Sequence, residues 1–562
     1  MQVWVKSERR RRPVLARREV AAGLIAIILI ASPLRSPAAE AAERLRPDGI
    51  VGTVLLANVD SLPGTVVERF VDAAGGDDAR LVIVVGRKKP LDDDEQSKLL
   101  VPWKDAMPDS VETLCIATRE QAEDADHAEL LHKATGIWLA HFDVKQLAST
   151  ARGTRFAAEL QALLDRKGAL GVEGTACSAL AAGTLLDEQK SDVTAGLNLL
   201  GQCVVDLSFD RKFGDKRLRD IIGMKSGWLG IGMSTGTMLE IHGRMMRPLD
   251  GHSAFVVLPP GTNNWREETV ELRQRRPGDW NQLHRAARDR ANPNYLPKEP
   301  ASPEVPHGAL VIIGGGRTPP DVLARFIELA GGADDGEFVV FPTAMPDPIA
   351  PGADSRFLRR AGVKHVTELP ARELNEVDSA ENLDLLKRAN GVWFGGGRQW
   401  HFVDAYEGTE TTKLLHDVLK RGGVIGGSSA GATIQGDYLV RGSPFGSEIM
   451  MCEGYERGLG FLPGVAIDQH FSARDRFADM TALTGKYPQF LGIGLDESTA
   501  LVVQGHTADI MGTGKAYFYD RRQMTDPDAP DYATAAAGDK YDLYDRKIIP
   551  GEKKPAERSV CP

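Results

Sequence analysis

Short runs of consecutive apolar residues alternate along this chain with stretches whose apolar positions recur at helical spacing. In the second half, 309–313, 337–341, 391–394 and 423–425 are such runs, and 320–330 and 411–421 carry the helical pattern. Continuous apolar strands between amphipathic helices predict parallel βαβ units with both sheet faces covered. Ligands of such sheets sit beyond the carboxyl ends of the strands. Glycines gather at those ends, as Gly314-Gly315-Gly316, Gly395-Gly396-Gly397 and Gly426-Gly427.

The pattern recurs. Arg69-Phe70-Val71-Asp72-Ala73-Ala74-Gly75-Gly76 returns as Arg325-Phe326-Ile327-Glu328-Leu329-Ala330-Gly331-Gly332, an offset of 256. Gly136-Ile137-Trp138-Leu139 returns as Gly391-Val392-Trp393-Phe394, and Leu229-Gly230-Ile231-Gly232 as Leu491-Gly492-Ile493-Gly494. Ordered matches at so long a period predict two related α/β domains in tandem rather than a solenoid. Their expected spans are 45–268 and 306–545, joined by a linker over 269–305 that is rich in proline and charge. A last strand is expected within 538–544, and 546–562 reads as a tail.

Before the first domain, seven basic residues between Lys6 and Arg18 precede the apolar run 20–31 and an alanine-rich stretch. That order predicts a signal peptide over 1–41 with cleavage near Ala41, and hence a secreted or periplasmic protein. The Arg17-Arg18 pair also permits a twin-arginine reading. The alternatives are an uncleaved membrane anchor or an overlong start; after removal of the leader no membrane span is expected. The 562 residues carry a net charge of -10, and losing eight basic and three acidic leader residues makes the remainder more acidic still. Such a balance argues against nucleic acid as a partner. Five cysteines are too few for a disulfide framework. Cys115, Cys177 and Cys203 lack metal-site spacing and read as buried apolar residues, so no metal and no cofactor are expected.

Gly427-Ser428-Ser429-Ala430-Gly431 lies between the strand 423–425 and a short helical pattern. This is G-x-S-x-G in strand–turn–helix context, where small neighbours let a serine hydroxyl stand clear of the backbone. A glycine-rich phosphate cradle is the competing reading. A serine needs a base and the base an orienting acid. His470 ends the strand-like run 464–469, and Asp496-Glu497 follows Gly492-Ile493-Gly494-Leu495 where the sheet gives way to a loop. Either carboxylate suits the imidazole.

Together, 426–432, Asp468-Gln469-His470-Phe471-Ser472 with Arg474, and 492–497 resemble the signature blocks of the cyanophycinases and the aspartyl dipeptidase peptidase E. Gly395-Gly396-Gly397-Arg398-Gln399 and Ile313-Gly314-Gly315-Gly316 fit the same family. The resemblance implies a class I glutamine-amidotransferase-like, flavodoxin-like α/β fold with a mainly parallel sheet. It implies a serine peptidase acting on peptide or isopeptide substrates containing aspartyl or β-aspartyl residues. Carried over, Ser429 is the nucleophile, His470 the base and Glu497 its orienting acid. Ala430 with Gly396 or Gly397 forms the oxyanion hole, and Gln399, Asp468, Gln469, Arg474 and Arg476 line the substrate pocket. Two positions depart from the pattern: Arg398 stands where an aspartate is usual, and Asp479 where cyanophycinases carry another arginine.

Ungapped alignment of the first domain puts Thr175 opposite Ser429, Cys177 opposite Gly431, Ser208 opposite His470, and Ser234 and Thr235 opposite Asp496 and Glu497. A hydroxyl without base or acid has no route to nucleophilicity. The first domain is therefore expected to be a degenerate copy, serving as scaffold, binding surface or pairing partner of the second. The alternatives for the whole chain are an esterase or amidotransferase-like hydrolase on the same turn, or a scaffold in which both copies are inert.

Overall fold

The apolar run at 54–57 lies inside a buried strand, Ile50–Asn58 (β1), in the computed structural model, which describes residues 45–187, 191–210, 215–261, 266–522 and 529–551. Around β1 stand Arg80–Val85 (β2), Ser110–Cys115 (β3), Gly136–Ala140 (β4), Ala169–Glu173 (β5), Thr237–Gly243 (β6), Met245–Pro248 (β7) and Gly278–Asp279 (β8). Their order is β3-β2-β4-β5-β1-β6-β7-β8. The first five run parallel, and β6 to β8 close the sheet antiparallel.

In the C-terminal half the sheet comprises Val305–Ile313 (β9), Glu337–Phe341 (β10), His365–Glu368 (β11), Gly391–Phe394 (β12), Val424–Ser428 (β13), Thr499–Gly505 (β14), Thr507–Gly512 (β15), Lys540–Asp542 (β16) and Lys547–Ile549 (β17). The order is β11-β10-β12-β13-β9-β14-β15-β16-β17. Strands β9 to β13 are again parallel and the remainder antiparallel. A smaller sheet accompanies each large one. The C-terminal one places Leu462–Asp468 parallel to Leu491–Leu495, so the residues after both strands emerge side by side. The protein is thus a mixed α/β chain built on mainly parallel sheets.

The repeated Arg-Phe motif is a packing device. The helix Gly64–Ala73 buries Phe70, whose ring meets Trp103 and Trp138 edge-on at 5.6 and 5.0 Å. The helix Pro320–Leu329 buries Phe326, which meets Phe338 and Trp393 at 5.7 and 5.3 Å. Edge-to-face pairs of this kind add about 0.5–1.5 kcal/mol each to the area they bury.

The stretch expected as a linker is not a free connection. It contains the rest of the strand Glu268–Arg273, then β8 and the helix Trp280–Ala291, whose Trp280, Leu283, Arg285, Ala286, Ala287 and Arg290 are buried. Its charges misled the sequence reading because they are paired across the two halves rather than solvated. Arg244 grips Asp279 through two 2.9 Å bonds, reaches Tyr455 Oη at 2.7 Å, pairs with Asp404, and lies 4.2 Å over the Trp400 ring. Arg285 meets Glu407 at 2.6 Å, and Arg290 meets Glu268 at 2.9 Å and also Glu453. Likewise β17 falls within the expected tail, pairing with β16. The stretch 1–41, expected as a leader with a cleavage site near Ala41, lies outside the described residues. Among the described residues no helix is long and apolar enough to cross a membrane.

Candidate active site

Strand β13 ends at Ser428, and the next residue turns sharply. Ser429 has φ +57° and ψ -113° and immediately precedes the short helix Ala430–Thr433. A side chain at Gly427 would begin 2.2 Å from the Gly431 carbonyl oxygen, and one at Gly431 only 2.0 Å from that of Phe394. Both glycines therefore keep the turn pressed against β12. The Ser429 N–H donates to the Ile313 oxygen at 3.1 Å, tying the turn to the end of β9.

His470 follows the strand Leu462–Asp468 with φ +50°, and its N–H donates to the Gly314 oxygen at 2.6 Å. The imidazole fills the space that glycine leaves: a Cβ at Gly315 would fall 2.3 Å from His470 Cε1. Nε2 of His470 lies 3.0 Å from Ser429 Oγ, and Nδ1 lies 2.6 Å from Glu497 Oε1. Asp496 is otherwise engaged, accepting from Ser472 N–H at 3.0 Å, Lys515 N–H at 3.2 Å and Tyr517 Oη at 3.2 Å. Burial pushes the His470 pKa below its ordinary 6.5, opposed by the hydrogen bond to Glu497 and aided by Arg474 and Arg476. A neutral imidazole between hydroxyl and carboxylate can take a proton on Nε2 while Nδ1–H is held.

A cavity of 660 Å³ opens beside Ser429, lined by His470, Gly396, Ser428, Asp354, Arg317 and Arg360 among others. Gly396 borders the serine closely, since a Cβ there would lie 3.7 Å from Ser429 Cβ. Gly397, at φ +141°, lies instead against the Ala344 carbonyl. Ala430 opens its helix, so its N–H has no intrahelical acceptor.

Residues 310–511 match the profile of Peptidase family S51. Residues 310–511 are a region of this family. It is a serine-type peptidase region of the cyanophycinase kind. A cyanophycinase of Trichormus variabilis is 26% identical over 275 residues, covering 45% of this chain and 91% of its own. One from Synechococcus elongatus is 28% identical over 251 residues, covering 43% and 76%. A solved peptidase from an acI-B1 Actinobacterium aligns with TM-score 0.33 and 20% identity, covering 42% of this chain and 97% of its own.

Within the S51 region, the five residues expected to line the substrate pocket do not line the cavity at Ser429. Asp468 is wholly buried and consumed by two arginines, accepting from Arg441 Nε and Nη2, each at 3.0 Å, and from Arg476 Nη1 at 2.9 Å. Gln469 and Arg476 are buried beside it, Arg476 also donating to the Gln469 carbonyl at 2.7 Å. Gln399 is buried in the first turn of the helix Gln399–Tyr406, and Arg474 is exposed on the turn Ser472–Arg474. Among the described residues, Gln469 Oε1 and Arg476 Nε and Nη2 are buried atoms of this cluster without a hydrogen-bond partner. Both departures from the family pattern have local partners: Arg398 donates to the Ser443 carbonyl at 2.6 Å, and Asp479 accepts from Arg441 at 2.7 Å. Sequence reading missed Arg441 and Asp354, which lie in irregular segments without a motif.

The N-terminal half can be compared with the S51 region strand by strand. Thr53 pairs with Ala169 and Ala57 with Glu173, as Ala309 pairs with Val424 and Ile313 with Ser428. Counted from that register, Gly174 with φ +64° stands in the place of Ser429. Ungapped alignment puts Thr175 there, one residue late. Asp206 pairs with Gly232 as Asp468 pairs with Gly494, which leaves Ser208 and Thr235 in the places of His470 and Glu497. His141 takes the place of Gly396, and its N–H donates to Glu173 Oε1 at 3.1 Å while Trp138 Nε1 donates to Oε2 at 3.2 Å. A carboxylate of the protein itself thus occupies that N–H. Cys177 is fully buried, and burial pushes its thiol up to about 12. Among the described residues no group of three or more His, Cys, Asp or Glu is placed to hold a metal ion.

Proposed function

We propose that the protein is an exported peptidase that hydrolyses peptide or isopeptide bonds at aspartyl or β-aspartyl residues through Ser429, His470 and Glu497. The observation that carries this reading is the continuous hydrogen-bonded line from Ser429 Oγ through the imidazole to Glu497. The substrate class follows from the likeness to proteins named cyanophycinase. Ser429 Oγ attacks the carbonyl carbon while its proton passes to His470 Nε2. The N–H groups of Ala430 and Gly396 receive the oxyanion. His470 then gives the proton to the leaving nitrogen, the C–N bond breaks, and an acyl ester remains on Ser429. Water, deprotonated by the same imidazole, releases the acid and restores the serine. Glu497 fixes the tautomer and stabilises the imidazolium.

The N-terminal half, 45–268, is on this reading a related copy that has lost the chemistry: it offers glycine for the nucleophile and fills its own N–H with Glu173. The shared strand order favours a common origin for the two halves. The leader 1–41 directs export and is removed near Ala41. Hydrolysis of cyanophycin and a panel of β-Asp-X dipeptides tests the activity, with Ser429→Ala expected to lower the rate by roughly 10⁶-fold. Undiminished hydrolysis by Ser429→Ala would refute the assignment.

A further inference from the structure

Buried carboxylates in this protein meet arginine almost everywhere: Asp279 and Asp404 meet Arg244, Glu407 meets Arg285, and Asp468 meets Arg441 and Arg476. Glu456 meets tyrosine hydroxyls instead, and Asp354, half-buried and lining the cavity at Ser429, meets neither. Among the described residues no Lys, Arg or His nitrogen lies within 4.0 Å of its carboxylate, and its Oδ2 is buried without a hydrogen-bond partner.

The carboxylate is held there by construction of the loop. Glu368, at the end of β11, accepts from the N–H groups of Gly352, Asp354 and Ser355 at 2.6, 3.1 and 2.8 Å and so fixes the backbone on both sides. Gly395 supplies the space. A Cβ on that glycine would fall 1.4 Å from Asp354 Oδ2, so the carboxylate lies directly on the glycine loop that also carries Gly396. Without a counter-charge the Asp354 pKa is pushed up to about 6, by burial first and by the charge of Glu368 second. Leaving a desolvated carboxylate unpaired is costly, and a bound cation would remove that cost.

We propose that Asp354 is a specificity-determining residue, selecting substrates that bear an ammonium or guanidinium group beside the bond to be cut. The proposal rests on Ser429 marking the reaction site. Arg317 and Arg360, exposed at the mouth of the same cavity, suit an anionic group on the same ligand, so a residue of mixed charge fits best.

The test uses Ser429→Ala protein, with and without Asp354→Asn, titrated calorimetrically with β-Asp-Lys and β-Asp-norleucine, which share a stem and differ in the charge. The Ser429→Ala protein should bind the lysine dipeptide roughly 10- to 100-fold more tightly, as expected for one charge-assisted hydrogen bond. Asp354→Asn should bring the two within about threefold, with norleucine binding little changed and the thermal midpoint kept. Asp354→Ser, which also removes the charge, should agree. Equal binding before the change, a preference that survives it, or binding of neither dipeptide overturns the proposal. Turnover is not needed in this experiment, so failure of the peptidase reading is seen separately, in the hydrolysis panel with Ser429 intact.

Discussion

Replacing Ser429 by glycine should make the protein more stable than replacing it by alanine, although both changes remove the hydroxyl. Each variant loses the same 3.0 Å contact with His470, so that loss cancels in the comparison. What differs is the backbone. At φ +57° and ψ -113° the residue lies well outside the small left-handed region open to side chains, where ψ is positive. Holding a non-glycine residue in such a place costs about 1–3 kcal/mol. Glycine removes that cost but gives back about 0.5–1 kcal/mol through the greater freedom of the unfolded chain. The net expectation is that Ser429→Gly exceeds Ser429→Ala by about 0.5–2 kcal/mol. Urea unfolding of the two variants, followed by near-ultraviolet circular dichroism at matched m-values, measures the difference. Gly174 provides the converse. It has φ +64°, and a Cβ added there would meet nothing within 4 Å, so Gly174→Ala should cost a net ~0.5–1 kcal/mol from the local backbone alone, with no clash against the rest of the fold. Alanine at 429 matching or exceeding glycine would mean that the turn stores no strain and that its shape is set wholly by Gly427 and Gly431.

Glu497→Gln should lower kcat by roughly 10²–10⁴-fold, because the amide no longer stabilises the imidazolium, whereas Asp496→Asn should chiefly lower the melting temperature; equal effects on kcat would reverse their assignment. The lowered pKa of His470 keeps the imidazole neutral, and so able to accept a proton, to more acid pH than an ordinary histidine. The acid limb of the kcat/KM profile should therefore fall below pH 6.5, and a limb above that value contradicts the burial argument. Arg244→Met takes the arginine from buried Asp279 and one of two arginines from buried Asp404, which keeps Arg285 and Tyr455, and should cost about 3–5 kcal/mol in urea unfolding. Adding Asp404→Asn should recover part of that loss, and strict additivity would argue against the coupling.

The strands of the C-terminal half and the three positions 429, 470 and 497 were legible because each is announced locally, by an apolar run and the small or polar residues that end it. What lay beyond local pattern was not. Asp496 and Glu497 share one turn, and only the direction of their side chains separates an imidazole partner from an acceptor of backbone N–H groups. Asp468 and Arg476 look like pocket residues in a linear motif, yet Arg441, far from them in sequence, turns them into a buried ion cluster. Asp354 owes its position to Glu368 and to a missing side chain at Gly395, neither of which has a sequence signal. The segment 269–305 failed for the same reason. Its arginines are charged as a linker's would be, but their acids stand more than a hundred residues away.

That helix, Trp280–Ala291, also bears on how portable the peptidase half is. Its Arg285, Arg288 and Arg290 supply the positive charge that Glu407 and Glu453 require, and Arg244 does the same for Asp404. A chain cut at residue 305 would keep every group that touches the reaction and still carry away the counter-ions of three acids on its flank. The N-terminal half is, in that sense, the salt in which the other half is dissolved, and gene fusion or domain exchange would have to break before residue 45 rather than in the middle.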